Sequence, residues 1–302
     1  MLNHDYVNSR FVDLVKSAET RGDVENYATA FLRSKIREDS FFRQILPPVI
    51  LTPAECDISV DHEELTKIIE KEPDTVAYAI NFRGAAPARY WEGSKYAIPF
   101  YKVESEEIQK KEAELMSYRM PVTDLIRKNT NYAIADQEDK AFMTAVGAAI
   151  TESGKTTESI AATGFQKKDF TNLVNLIDGD RLKAAFILVN VTVYNDMAAW
   201  DDSDLGDSLL SDVTINGYTH PIFLGRRLIV TSKSDILDNK AIYAFTDQPW
   251  LGHSYALSEE VRFAIETRFD LFAFKAWEIY GAGIGNARAV ASITLKEDDE
   301  ED

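Results

Sequence analysis

The sequence predicts an α+β fold, with one long helix set between groups of strands. Three observations predict it. Apolar residues recur at three- and four-residue steps across residues 121–150, at Val122, Leu125, Ile126, Ala133, Phe142, Met143, Val146 and Ile150, the spacing of one helix face. Apolar and polar residues alternate at 76–82, 96–100 and 261–271, the period of a half-buried strand. Residues 184–193 form a continuous apolar run rich in β-branched side chains, as a strand buried on both faces does.

The long helix has readable ends. Pro121 suits a first helical position, where a missing N–H costs nothing. Asp124 lies in the first turn, where the helix dipole favours an acid. Gly154 lies just past the last turn, as a C-terminal stop does. Thirty residues of helix span about 45 Å, longer than a small domain is wide. Residues 135–140, Ala-Asp-Gln-Glu-Asp-Lys, read as a solvated patch that interrupts the apolar stripe.

Before this helix, residues 1–40 read as two amphipathic helices. One carries Phe11, Leu14 and Val15, the other Tyr27, Phe31 and Ile36, with a break at 21–23 that Asp23 N-caps. Residues 41–53 contain Pro47, Pro48 and Pro53, which forbid a helix interior and disfavour a central strand. The segment reads as an extended arm whose Phe41, Phe42, Ile45 and Leu46 need covering. Its own domain and a neighbouring subunit both fit that role. Residues 61–71 read as a short helix ended by Pro73. The alternations at 76–82 and 96–100 read as a long hairpin with a broad tip at 84–94. Isolated two-stranded ribbons are marginal in water, so this one is expected to lie against something else. Residues 115–120 read as a strand leading into the long helix.

After it, residues 159–162 read as a strand and 167–177 as a helix with Phe170, Leu173, Val174 and Ile177 on one face. Residues 201–207 are an exposed acidic loop. Strands at 222–231 and 241–245 surround a turn at 238–240. The alternation of 261–271 slips near Phe272, which reads as a bulge or bend. Residues 281–286, with three glycines, read as a turn, 287–295 as the last strand, and 296–302 as an acidic tail.

Composition excludes several function classes. The chain has 302 residues and a net charge of −17, which argues against a basic face that grips nucleic acid. Cys56 is the single cysteine, so there is no intrachain disulfide and no cysteine-rich metal site. No apolar run approaches the roughly 20 residues of a membrane helix. Residues 149–156 resemble a phosphate loop, with Ala149 in place of the first glycine. The order helix–loop–strand is wrong for one, and Glu152 would face the phosphates. The glycines at 281, 283 and 285 do not match a dinucleotide fingerprint. Residues 202–206 lack the ligands of a calcium loop. His4, His62, His220 and His253 share no ligand spacing. No catalytic residue, cofactor or metal site is expected.

The order of elements is more telling than any motif. An arm leads to a long hairpin, then a long helix, an α/β insertion, and antiparallel return strands. With it go the acidic stretch 135–142 in mid-helix, Gly225-Arg-Arg-Leu-Ile-Val-Thr231 before an Asp-Asn turn, and Asn286-Ala-Arg-Ala289 before the last strand. This chain resembles the major capsid proteins of tailed double-stranded DNA bacteriophages, the HK-ninety-seven fold that encapsulin compartments also use.

The resemblance implies an N-arm at 1–52 and a first peripheral part at 53–156, with the E-loop at 76–103 and the spine helix at 121–150. It implies an axial domain at 157–256, then peripheral return strands and the acidic tail at 257–302. It implies a non-enzymatic shell subunit of a virion capsid, assembled with itself as hexamers and pentamers in the host cytoplasm. Scaffolding, portal and decoration proteins are implied partners, with packaged DNA touched only non-specifically and no membrane. No charged prosegment precedes the arm, so either a separate scaffold serves assembly or such a segment has been removed. Intersubunit contacts are expected at Phe41, Phe42, Ile45, Leu46, Arg89, Tyr90 and Trp91. Some family members cross-link a hairpin lysine to a neighbour; Lys95 is the only lysine near this tip and no partner is marked, so no cross-link is expected. The acid excess reads either as an inner lining that repels DNA or as a solubility device. An encapsulin-type compartment and an unrecognised α/β enzyme are the alternative readings.

Overall fold

The computed structural model describes residues 38–58, 65–73, 75–90, 92–117, 122–160, 164–198, 222–223, 225–259 and 261–296. The helices expected within 1–37, Trp91, the acidic loop 201–207 and the tail 297–302 lie outside the described residues, as do His4, His62 and His220.

In chain order, α1 (Phe42–Ile45) leads to β1 (Val49–Ile50), β2 (Asp57–Ile58), β3 (Leu65–Glu70), β4 (Lys95–Pro99), β5 (Tyr101–Glu104) and β6 (Ile108–Lys111). Then follow α2 (Glu112–Ser117), α3 (Val122–Ser153), β7 (Thr156–Ile160), α4 (Lys167–Asp178), β8 (Ala184–Asn190) and α5 (Val191–Ala198). The chain continues through β9 (Ile222–Phe223), β10 (Arg226–Thr231), β11 (Ala241–Thr246), α6 (Gln248–Leu251) and β12 (Gly252–Ala256). It ends with β13 (Arg262–Arg268), β14 (Leu271–Ile284) and β15 (Val290–Lys296).

The first sheet is built on β14. Tyr280 pairs with Ala256 of β12 on one side and Tyr101 of β5 on the other. Nearer its start, β14 pairs with β13 and β6. Its inward register carries Phe272, Phe274, Ala276, Glu278 and Tyr280, all buried. The second sheet runs β7-β15-β11-β8-β10-β9. Its β8 and β10 are parallel, and β8 is buried on both faces. Val189 and Ile187 pack under Phe170, Leu173 and Ile177 of α4, while Leu188 faces Phe142 and Val146 of α3. That double burial is why the stretch reads as a continuous apolar run, but the strand expected over 184–193 ends at Asn190, and residues 191–193 open helix α5.

A third, three-stranded sheet runs β2-β3-β4. Helix α3 joins the first two sheets. It holds 32 residues, about 48 Å of helix. Val122 and Ile126 pack on Phe272 and Phe274 of the first sheet. Phe142 and Val146 pack with Ile229, Phe245 and Val290 of the second. It ends where expected: Gly154 adopts φ +66° and its N–H donates to the Ile150 carbonyl at 2.8 Å, a left-handed cap that glycine enters without strain.

Several expectations are corrected. Residues 65–70, expected as helix, form strand β3 and pair with β4 from Thr66↔Pro99 to Glu70↔Lys95. Their β-branched Thr66, Ile68 and Ile69 suit a ladder. This pairing takes the place expected for 76–82, which has no ladder and is exposed throughout. Residues 112–117, partly expected as strand, are helix α2 with Leu115 buried against α3. The slip near Phe272 is a two-residue hairpin turn at Phe269 and Asp270, with Arg268 facing Leu271. Phe269 carries the turn at φ +55°, so no glycine announces it. The glycine-rich stretch expected as a turn is the end of β14. An added Cβ at Gly281 would lie 2.6 Å from the Pro99 carbonyl oxygen, and one at Gly283 3.1 Å from Ile98. The glycines admit β4 across the sheet; they do not bend it.

Two glycine substitutions should therefore act in opposite directions. Gly281→Ala should destabilise by about 1–3 kcal/mol, because a backbone carbonyl must move. Gly147→Ala, with nothing within 4 Å of the new Cβ on a helical backbone, should stabilise by about 0.5–1 kcal/mol. Urea unfolding of both variants checks the pair; equal effects would contradict the assignment.

Candidate functional site

Two surfaces draw attention, one buried and one exposed. The buried one lies at the middle of α3. The stripe Ile134, Glu138 and Phe142 runs at four-residue steps, and Glu138 is as buried as its apolar neighbours. Asp139 beside it is also fully buried. The expectation that residues 135–140 form a solvated patch is corrected: two of its acids point inward and are met by cations from elsewhere in the chain.

Arg43 of α1 supplies the first cation. Its Nε donates to Glu138 Oε2 at 2.9 Å and its Nη2 to Glu138 Oε1 at 2.6 Å. The same Nη2 donates to Glu278 of β14 at 2.6 Å. One planar guanidinium thus ties α1 to the long helix and to the first sheet, a fork that Lys cannot reproduce. Lys233, just after β10, supplies the second. Its Nζ donates to Asp139 Oδ2 at 2.7 Å and lies 2.9 Å from Asp136 Oδ1. The other oxygen of Asp139 accepts from Ser40 Oγ at 2.8 Å and from the Phe42 backbone N–H at 2.9 Å. Glu38 accepts from Thr231 Oγ1 at 2.8 Å and from the Ser232 N–H. Segment 38–46 is consequently bonded to α3, to β14 and to the end of β10.

Burial sets the electrostatics. It pushes the Asp139 carboxyl above its ordinary range, and the Lys233 ammonium pulls back against it. Burial works against the Lys233 charge too, but Asp139 and Asp136 outweigh it and hold the ammonium more firmly protonated than usual. The hydrogen bond to Glu138 likewise holds Arg43 charged despite its burial. Burial raises the Tyr280 hydroxyl, with Glu138 and Glu278 adding to the effect.

The apolar side of the same segment fills the gap between the sheets. The Phe42 ring lies 5.1 Å from that of Phe142 and 6.2 Å from that of Tyr280. Phe41, Phe42, Ile45 and Leu46 are each exposed by 2% or less. The expectation that these four meet a neighbouring subunit is corrected, since the chain's own core encloses them. Sequence reasoning missed Arg43, Lys233 and Glu278. A signal existed for Glu278, which falls on the inward register of β14.

The exposed surface is the loop between β3 and β4. The Lys71 N–H donates to the Ser94 carbonyl and closes its base at 2.8 Å. Every residue from 75 to 90 is exposed. Among them are Val76, Tyr78, Ile80 and Phe82, the last exposed as fully as in an isolated residue, and Tyr90 at 87%. Arg89 is exposed beside Tyr90. The structure brings Arg89 and Tyr90 together at the tip, far in sequence from the buried arm residues.

The phosphate-loop resemblance does not survive. Gly154 caps the C-terminus of α3 and β7 follows, so no helix N-terminus faces the loop. Lys155 instead reaches Asp180 at 2.6 Å and the Arg288 carbonyl at 2.8 Å. His253 accepts or donates at 2.8 Å with the Tyr96 hydroxyl, and burial lowers its basicity.

This architecture is similar to solved structures from phage particles. A structure of Microbacterium phage Oxtober96 matches over 91% of this chain and 96% of its own, with a TM-score of 0.64 at 12% identity. One of Gordonia phage Cozz matches over 94% and 95%, with a TM-score of 0.62 at 14% identity. The capsid of a native GTA particle matches over 92% and 97%, with a TM-score of 0.58 at 14% identity. The chain has the HK-ninety-seven capsid fold. No protein-family model and no curated protein matches its sequence. In the terms of that fold α3 is the spine helix and the β3–β4 loop is the E-loop. The arm residues 38–46 dock where spine and sheets converge.

Arg43→Ala would leave two buried carboxylates without their cation, and breaking a buried pair this way costs about 3–5 kcal/mol. That is a large part of the roughly 5–15 kcal/mol that holds a domain folded. Urea unfolding of the variant should show that loss, and Arg43→Lys should recover only part of it. A wild-type midpoint for Arg43→Ala would contradict the role assigned to the junction.

Proposed function

We propose that this chain is a structural subunit of an icosahedral viral capsid, assembling with itself as hexamers and pentamers to enclose packaged double-stranded DNA. One observation carries the reading beyond the fold. The E-loop presents Val76, Tyr78, Ile80, Phe82 and Tyr90 to solvent, each at least half exposed. A contiguous exposed apolar stretch of this kind marks a protein–protein contact. The loop has no backbone ladder of its own between residues 75 and 90. A neighbouring subunit supplies the surface that this loop lacks among the described residues, and Arg89, Tyr90 and Trp91 are its leading contacts.

In this reading residues 1–52 are the N-arm, 53–156 and 257–302 the peripheral domain, and 157–256 the axial domain. The chain has no catalytic role. Scaffolding, portal and decoration proteins act with it during assembly in the host cytoplasm. Contact with DNA is non-specific, in keeping with the acid excess of 50 against 33 basic residues. The subunits are joined without covalent links. Lys95 is paired with Glu70 of its own hairpin at 2.8 Å, and that hydrogen bond shifts the ammonium upward from its ordinary pKa.

Sedimentation and negative-stain imaging of the full chain test this reading. Closed shells of many copies are expected. Deletion of residues 84–94 should leave a folded subunit that forms no closed shell. Monomers from the intact chain, or normal shells from the deletion, would contradict it. Boiled, denatured particles should run as one band at the 34.0 kDa monomer mass; a ladder of multiples would show cross-linking.

A further inference from the structure

The arm junction holds more negative charge than its cations cover. Arg43 lays one guanidinium on two carboxylates, Glu138 and Glu278, whose side chains are exposed by 1% and 0%. Lys233 cannot make up the difference, because Asp139 and Asp136 already share it. The other polar group packed here, the Tyr280 hydroxyl two residues along β14, is kept un-ionised by burial. From α1 comes Arg43, from α3 Glu138, Asp139 and Asp136, from β14 Glu278 and Tyr280, and from the end of β10 Lys233. Four carboxylates therefore face two cations, and of the four only Asp136 has access to water, at 28%. An uncompensated anion among Phe42, Phe142 and Tyr280 is far less favourable than a bound proton.

We propose that the Glu138–Glu278 pair holds one proton in mild acid, which makes the anchor of segment 38–46 a proton-binding site that empties as pH rises through neutrality. With the proton in place the site is neutral: one carboxyl, one carboxylate and one guanidinium. When the proton leaves to solvent, the site carries one net negative charge beneath Arg43. The proton resides on Glu278. Burial, with the Glu138 carboxylate next in weight, lifts its carboxyl from the ordinary 4.5 to about 7.

The sign follows from proton linkage. The folded chain binds this proton more tightly than the unfolded chain, so the stabilisation is full below about pH 4.5 and is lost as pH rises to about 7. Ordinary paired carboxylates behave in the opposite way and weaken in acid. The chain is thus tightest in mild acid at the point where arm, spine helix and both sheets meet. This holds for the single chain and does not rest on the shell reading.

The test compares the full wild-type chain with Glu278→Gln, which keeps the shape of the protonated side chain but cannot ionise. Urea unfolding is followed between about pH 5 and 9. The wild-type folding constant, divided by that of the variant, should fall about tenfold per pH unit from pH 5 to 7 and level off above. Infrared difference spectra of the wild type between pH 6 and 9 should show loss of the carbonyl band of a protonated buried carboxyl, and the variant should lack it. Parallel stability profiles, or no such band in the wild type, would overturn the proposal. If the variant does not fold, the wild-type infrared titration decides alone.

Discussion

One guanidinium on two buried carboxylates is the interaction on which the rest of this structure depends. The long helix α3 must serve two sheets at once, and its middle has to pass the gap between them. An apolar plug alone could fill that gap in several registers. Arg43 fixes one, because its fork reaches Glu138 on the helix and Glu278 on β14 in a single geometry. Lys233 and Asp139 do the same for the second sheet. Buried pairs of this kind contribute little net stability against apolar replacements. Their value here lies in register, with breakage costly because an unpaired buried charge is left behind.

The fold was legible in the sequence wherever one period governed a long stretch. The 32-residue helix and its glycine cap follow from spacing and from Gly154. Strand β8 follows from its unbroken apolar run, and β15 from its position after Asn286. Reading failed where two periods competed. Residues 65–70 carry Ile68 and Ile69 at spacings a helix also tolerates, and only the distant partner β4 decides for a strand. Residues 76–82 alternate well but have no strand partner among the described residues. Alternation reports which side chains seek a surface, not that the surface belongs to the same molecule. The glycines of β14 misled because the backbone they admit is 182 residues away in sequence, as Gly281 against Pro99 shows.

The junction was legible in part. Glu138 sits on the helix stripe between Ile134 and Phe142, and Glu278 sits on the inward register of β14. Each position predicts burial once period is applied to every residue and not only to apolar ones. What the sequence hides is the pairing, since Arg43 and Glu278 are separated by 235 residues. The arm residues illustrate the same limit: Phe41, Phe42, Ile45 and Leu46 clearly need cover, and only the three-dimensional arrangement places that cover within their own chain. The E-loop has the complementary character, with apolar side chains left open among the described residues. A tight internal junction and an open external loop are what the proposed shell subunit requires.

The central claim is that segment 38–46 is an integral part of the core, locked by the ion pairs at mid-helix. Hydrogen–deuterium exchange on the full chain, read at the amides of Phe42, Ile45 and Leu46, tests it most directly. The Phe42 N–H is bonded to buried Asp139 and the Leu46 N–H to the Phe42 carbonyl at 2.8 Å. These amides should exchange as slowly as those of β14, at the global unfolding limit. Exchange as fast as that of the exposed residues 75–90 would contradict the account.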